Sequence, residues 1–318
     1  ERTGQFDIGF DLGLFNNRLR ITTDYYKKKT TDLLYSVAVP ATSGYQTMLK
    51  NIGSIENQGY ELSIESDNLT GAFSWTTAFN IAFNRNKVLE LGGEEYKEMA
   101  EGDGHLKTGS VRRLIVGEPI GVFYGYRFDG IFQNEEECKQ QTSSASPIGV
   151  GLRRYKDLNG DGKVDAANDR EILGDANPKF FGGLTNTFAY KGFELNVFLQ
   201  YSYGNKILNY NAMELENPTG GQNAYADMVN RWTPENPSNI YPKATTNRAL
   251  LVSDRFIEDG SYLKLKTLSL SYSFPKINLK HIQGLRLYVT GQNLLTWTKY
   301  RGYDPEVSYR GASTLEAG

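Results

Sequence analysis

The chain has 318 residues, with 35 Lys plus Arg against 37 Asp plus Glu, and the resulting net charge of -2 gives no general electrostatic pull toward nucleic acid or anionic lipid. Hydrophobic residues make up 39%, somewhat low for a packed globule, while 21 Tyr, 16 Phe and 3 Trp raise the aromatic share to 13%. No run of about 18 apolar residues occurs, which excludes a transmembrane helix but not a barrel, whose strands are apolar on one face only. The single cysteine, Cys138, excludes an intrachain disulfide or a thiolate metal cluster and reads as an exposed loop residue. Residues 1–4 show no apolar core of a signal peptide.

From Gln5 on, Phe6, Ile8, Phe10, Leu12 and Leu14 share one face, and Asp7, Gly9, Asp11 and Gly13 the other. That period of two marks a strand with one apolar and one wet side. Asn16-Asn17 supplies a tight turn, because Asn tolerates left-handed backbone. Leu19, Ile21, Thr23 and Tyr25 then return opposite Arg20, Thr22, Asp24 and Tyr26. The run Lys27-Lys28-Lys29 reads as a solvated strand tip, and a loop of roughly 19 residues containing Pro40 and Gly44 follows. Alternation resumes with Tyr60, Leu62 and Ile64 against Glu61, Ser63 and Glu65. After a short polar link, Phe73, Trp75, Thr77, Phe79, Ile81 and Phe83 face one way and Ser74, Thr76, Ala78, Asn80, Ala82 and Asn84 the other. A soluble sandwich rarely needs such a face, whereas a lipid-facing strand does.

A long excursion over about residues 87–181 holds one strand-like piece at 121–126. It leads into a hairpin at 182–204 that turns at Lys191-Gly192. In its second arm Leu195, Val197, Leu199, Tyr201 and Tyr203 lie opposite Glu194, Asn196, Gln200 and Ser202, with Phe198 the apolar exception. A second excursion, 205–261, carries a short helix at 223–231 that the Trp232-Thr233-Pro234 stretch ends. The last hairpin pairs 262–274 with 285–298. Its apolar residues switch phase from Leu263 and Leu265 to Leu268, Leu270, Tyr272 and Phe274, which predicts a bulge near Lys266-Thr267. The order strand, tight turn, strand, long loop, repeated four times, is the asymmetry of outer-membrane barrels.

Several blocks carry a more particular likeness. GYEL at 59–62, PIGVFYGY at 119–126 with DGIF at 129–132, DLNGDGK at 157–163, GGLTN at 182–186, RWTPENP at 231–237, and GQNLLT at 291–296 with YDPE at 303–306 occur in this order. Together they resemble the C-terminal barrel region of SusC/RagA-type TonB-dependent outer-membrane transporters. The resemblance implies an all-β fold: a portion, about eight strands, of an antiparallel transmembrane β-barrel of 22 strands, with long extracellular loops at 87–181 and 205–261. It further implies an N-terminal plug, a SusD-like surface lipoprotein as lid, energy from the TonB complex, and a Gram-negative outer-membrane location. No plug, TonB-contacting segment or terminal aromatic-ended strand is recognisable, so the eight strands are expected to precede the last one, and the fragment by itself is not expected to transport.

One constellation has metal chemistry. Asp157, Asn159, Asp161, Lys163 and Asp165 alternate around Gly160 and Gly162 like the first half of a calcium loop, with Asp169 one position beyond the usual closing acid. The same spacing suits a metal-free loop of Asx turns. His105 and His281 stand apart and read as surface residues, and Glu61 with Glu65 reads as part of a polar lumen rather than an acid-base pair. The loop aromatics Tyr124, Tyr126, Tyr210, Tyr225, Trp232 and Tyr241 are candidates for stacking on a substrate or partner, while Phe73, Trp75, Phe79, Phe83 and Tyr201 belong to the lipid face. The expected function is part of an importer of glycans or oligopeptides, with no catalytic residues. The alternative is a soluble β-sandwich that binds carbohydrate.

Overall fold

The computed structural model describes residues 1–38, 47–99, 109–217, 223–246, 250–274 and 284–306. In chain order its elements are β1 (Arg2–Leu14), β2 (Leu19–Ala38), β3 (Thr47–Leu69), β4 (Phe73–Leu91), β5 (Tyr96–Glu98), β6 (Arg112–Ile115), β7 (Val122–Tyr126), β8 (Phe128–Ile131), α1 (Glu135–Gln140), β9 (Thr142–Ser143) and β10 (Arg153–Tyr155). Then come β11 (Lys163–Val164), β12 (Arg170–Asp175), β13 (Phe180–Tyr190), β14 (Phe193–Tyr203), β15 (Lys206–Leu208), α2 (Tyr210–Leu215), β16 (Ile257–Asp259), β17 (Tyr262–Phe274) and β18 (Leu285–Thr298). These segregate into two units. One, the wall, comprises Glu1–Gly92, Pro178–Asn205 and Gly260–Lys299; the other, the loop body, comprises Gly93–Asn177, Lys206–Asp259 and residues from Tyr300 on.

The wall is a single antiparallel sheet in the order β1-β2-β3-β4-β13-β14-β17-β18. Its register aligns the apolar faces of all eight strands: Phe10, Thr23, Leu62, Ile81, Gly182, Tyr201, Leu263 and Trp297 form one continuous row. A slip of one residue in any strand would turn its apolar set to the wet side, so the alternation itself fixes the register. Two aromatic belts bound this face. Near the tight turns Phe73, Trp75, Phe188 and Tyr190 lie within 6.5 Å of one another in successive pairs, and Phe193 meets Tyr272 at 4.5 Å. At the other end Phe83 contacts Phe180 at 5.8 Å and Phe180 stacks on Tyr203 at 5.0 Å. Ten residues separate Phe73 from Phe83, so strands tilted by about 40° hold the belts roughly 25 Å apart, the height of a bilayer's apolar band.

Beyond the second belt the same face turns charged, with Lys27, Gln58 and Arg85 in adjacent register and Lys27 paired to Glu56 at 3.1 Å. This corrects two expectations. Lys27, Lys28 and Lys29 lie within β2, and the strands predicted to end there continue as a paired ribbon to Ala38 opposite Thr47, replacing most of the expected 19-residue loop. Polar side chains on both faces at 27–29 and 56–58, and register shifts at Leu33 and Ile55 further along, remove the alternation that reveals a strand.

The turns obey local chemistry. Lys191 and Gly192, with φ of 47° and 86°, form a two-residue turn of the primed kind that matches strand twist. Phe15 joins Asn16 and Asn17 at positive φ, so the β1–β2 turn is wider than Asn16-Asn17 alone predicts. The expected bulge is present: Leu265 pairs with Leu295 but Thr267 pairs with Gln292, leaving Lys266 opposite Asn293 and Leu294, and Asn293 is left-handed at φ 51°.

The loop body has its own core of Val111, Phe123, Leu173, Leu208, Met213, Leu250, Val252 and Phe256, with a second cluster of Tyr126, Tyr155 and Val164. A four-stranded sheet, β12-β7-β6-β5, supplies one side. The strand-like piece expected at 121–126 is β7, and the helix expected at 223–231 is a shorter 3-10 turn, Ala226–Asn230. Helix α2 is capped by Asn209, fully buried, whose side chain accepts from the Ala212 amide at 2.9 Å.

Candidate functional site: the polar face of the wall and the loop body

Opposite the apolar face runs a face of short polar side chains that satisfy one another. Arg20 pairs with Glu65 at 2.9 Å, Thr22 donates to Asp11 at 2.6 Å, and Asn196 donates to Thr187 at 2.9 Å. Arg286 bridges Glu194 at 2.7 Å and Ser271 at 2.8 Å. Arg20, Glu65, Asp67, Thr76, Thr185 and Thr187 line a shallow depression there. Glu65 is engaged by Arg20, and Glu61 lies opposite Asp24 and Ala82, so these carboxylates form no isolated pair. Phe198, the apolar exception, covers Gly183 on this face, filling the space that a glycine leaves.

The six loop aromatics differ in setting, with Trp232 and Tyr241 joined by the Trp232 amide donating to the Tyr241 carbonyl at 3.0 Å. Tyr124 is covered by the Arg113 guanidinium, 3.7 Å from its centroid, with Arg170 at 5.5 Å. Tyr126 is only 5% exposed and packs 5.7 Å from Tyr155, so its ring has no face open to a ligand. Tyr210 and Tyr225 are half-buried against the main core. Trp232 donates from Nε1 to Gln133 at 3.1 Å, and Tyr241 donates to Asp227 at 3.3 Å beneath the Arg255 guanidinium. Burial raises the phenol pKa of Tyr126, Tyr225 and Tyr241, keeping each a neutral donor.

In the 157–169 loop the carboxylates are turned to backbone amides. Asp157 accepts from Gly160 and Gly162, both at 2.7 Å; Asn159 accepts from Asp161 at 3.2 Å; Asp161 accepts from Lys163 at 2.8 Å. The buried Asp169 staples the loop shut by accepting from Leu158 and Asp165, both at 2.7 Å. Lys163 bonds Asp165 at 3.0 Å, which together with the amides of Asn168 and Ala167 lowers the Asp165 pKa. Among the described residues no three His, Cys, Asp or Glu side chains are arranged as a ready metal cage. His105 and His281 lie outside the described residues.

The pattern missed a buried ionic cluster. Glu216, 1% exposed, meets both Arg255 and Arg301, and Arg301 reaches Glu258 at 2.7 Å. Its members are scattered between positions 216 and 301, so no local sequence signal announces it.

An antiparallel sheet with one belted apolar face and one polar face is the wall of a transmembrane β-barrel. A profile of the family described as "TonB dependent receptor-like, beta-barrel" matches residues 1–294. TonB-dependent receptor P3 of Formosa agariphila is 41% identical over 313 residues, 98% of this chain and 31% of that protein. TonB-dependent receptor SusC of Bacteroides thetaiotaomicron is 29% identical over 321 residues, 96% of this chain and 30% of that one. Among solved structures, the RagAB peptide importer in the open-open state superposes with a TM-score of 0.77 at 26% identity, covering 99% of this chain and 32% of that chain. The chain belongs to the TonB-dependent receptor-like β-barrel family, a family of receptors and transporters of the outer membrane. It spans about a third of the length of these relatives.

Proposed function

We propose that this chain is part of the barrel of an outer-membrane importer of oligopeptides or glycans. The carrying observation is the register that places every apolar strand face on one side and a self-satisfied polar face on the other. That polar face lines the passage, and the loop body lies on the extracellular side, where a SusD-like lipoprotein would seat. Lys191-Gly192 accordingly faces the periplasm, and the TonB complex supplies the energy. The similarity to SusC and to the RagAB peptide importer supports this reading. Deleting the gene and following uptake of labelled oligopeptides and oligosaccharides tests it: loss of uptake of one class is expected, and unchanged uptake of both would refute it.

The 157–169 loop is proposed as a calcium site on its donor set of alternating oxygens around Gly160 and Gly162, at φ 74° and 80°. Each carboxylate oxygen that accepts one amide retains a lone pair for a cation. Because Asp169 is fully buried while the other donors reach the surface, Asp157, Asn159 and Asp161 would supply the ligands. Calorimetric titration of the intact protein decides this, and no heat at millimolar calcium removes the assignment.

A further inference from the structure

The loop body contains a cavity of about 60 Å³, walled by Pro147, Leu152, Pro242 and Leu250 and by the guanidinium-bearing Arg153. A water needs roughly 10–15 Å³ measured in this way, so the cavity has room for a few waters or for one carboxylate with a short stem. Arg153 is the unusual wall. Its terminal nitrogen donates to the Glu216 backbone carbonyl at 3.1 Å and its guanidinium lies 6.0 Å from the Phe256 centroid, but among the described residues no carboxylate pairs with it. Its Nε is buried without an acceptor.

The neighbouring charges do not fill the gap. The Glu216 carboxylate is shared between Arg255 and Arg301, and Glu258 is taken by Arg301. The two carboxylates thus serve Arg255 and Arg301 and leave Arg153 without one, and Arg255 Nε also lacks an acceptor among the described residues. A half-buried guanidinium with an N–H that lacks an acceptor is unfavourable until an anion meets it. Burial depresses the Arg153 pKa, with Tyr155 and Glu216 opposing and Arg255 reinforcing that shift.

We propose that this cavity binds a small carboxylate, its oxygens on Arg153 and its stem against the proline and leucine walls. The carboxylate can belong to a peptide or to a uronic acid; the recognised chemistry is the same. This inference does not depend on transport, because binding is read on purified protein.

Saturation-transfer NMR on the intact protein in detergent micelles tests it, with propionate, propionamide, trialanine, trialanine amide, galacturonate and galactose as probes. Transfer to propionate but not to propionamide is expected. A preference for trialanine over its amide assigns the peptide source, and one for galacturonate over galactose the uronate source. Arg153→Gln should weaken propionate binding about tenfold or more, and Arg153→Lys by less. Ser146→Phe, which fills the cavity without touching the charge cluster, should abolish binding and covers the case in which Arg153→Gln fails to fold. Equal transfer to propionate and propionamide, no transfer to propionate, or binding indifferent to the folded variants overturns the proposal.

Discussion

Tyr201 lies across Gly182 of the adjacent strand, and its hydroxyl donates at 2.8 Å to the carbonyl of Asn80 on the strand beyond. A Cβ at Gly182 would sit 2.1 Å from that carbonyl and 2.7 Å from the hydroxyl, so one glycine lets three strands close around one tyrosine. Gly182→Val is expected to destabilise the wall by about 1–3 kcal/mol through overpacking. Tyr201→Phe, losing only the hydrogen bond, is expected to cost about 1 kcal/mol. The temperature at which the intact protein loses its compact mobility in SDS gels reads both, and equal effects would show that the glycine is not required for space.

The ion pairs differ in burial and should differ in weight. Arg20 and Glu65 are each about half exposed on the wall, so Arg20→Ala should cost under about 1 kcal/mol. Glu216→Ala strands Arg255 inside the loop body and is expected to cost about 3–5 kcal/mol. Amide hydrogen exchange separates the two: β15, β16 and α2 should lose protection in Glu216→Ala and retain it in Arg20→Ala.

The loop body should also be acid-sensitive through Glu98. Burial pushes its pKa up, but hydrogen bonds from Arg113 and Ser110 and the charges of Arg170 and Arg113 outweigh that and hold it below the ordinary value. A depressed folded pKa contributes stability that is present above the unfolded carboxylate pKa and lost as pH falls through the folded one. Exchange protection of β5 and β6 should therefore fall as pH drops below the usual carboxylate range, and Glu98→Gln should flatten that dependence. A variant with the wild-type pH profile would contradict the assignment to Glu98.

Much of the wall is legible in the sequence because a sheet apolar on one side must alternate. Strands β13, β14, β17 and β18 and the Lys266 bulge follow from the parity of Leu, Tyr and Phe alone. The far ends of β2 and β3 do not, since Lys27, Glu56 and Gln58 are wet on a face that is apolar further down. In the loop body only β7 and the helical turn Ala226–Asn230 stand out, as its core is assembled from Val111, Leu173, Met213 and Phe256, residues far apart in the chain. The aromatic candidates show the same limit: composition points to rings, but only packing distinguishes the buried Tyr126 from the half-buried Tyr241.

Phe79 and Ala78 sit at the same depth between the two aromatic belts, on opposite faces of β4. Urea titration of the intact protein folded into phospholipid vesicles, comparing Phe79→Arg with Ala78→Arg, tests the barrel assignment most directly. A charge on the lipid side should cost about 2–4 kcal/mol, and one on the passage side about 1 kcal/mol or less. Equal costs, or a larger one for Ala78→Arg, would contradict the assignment of the Phe79 face to lipid.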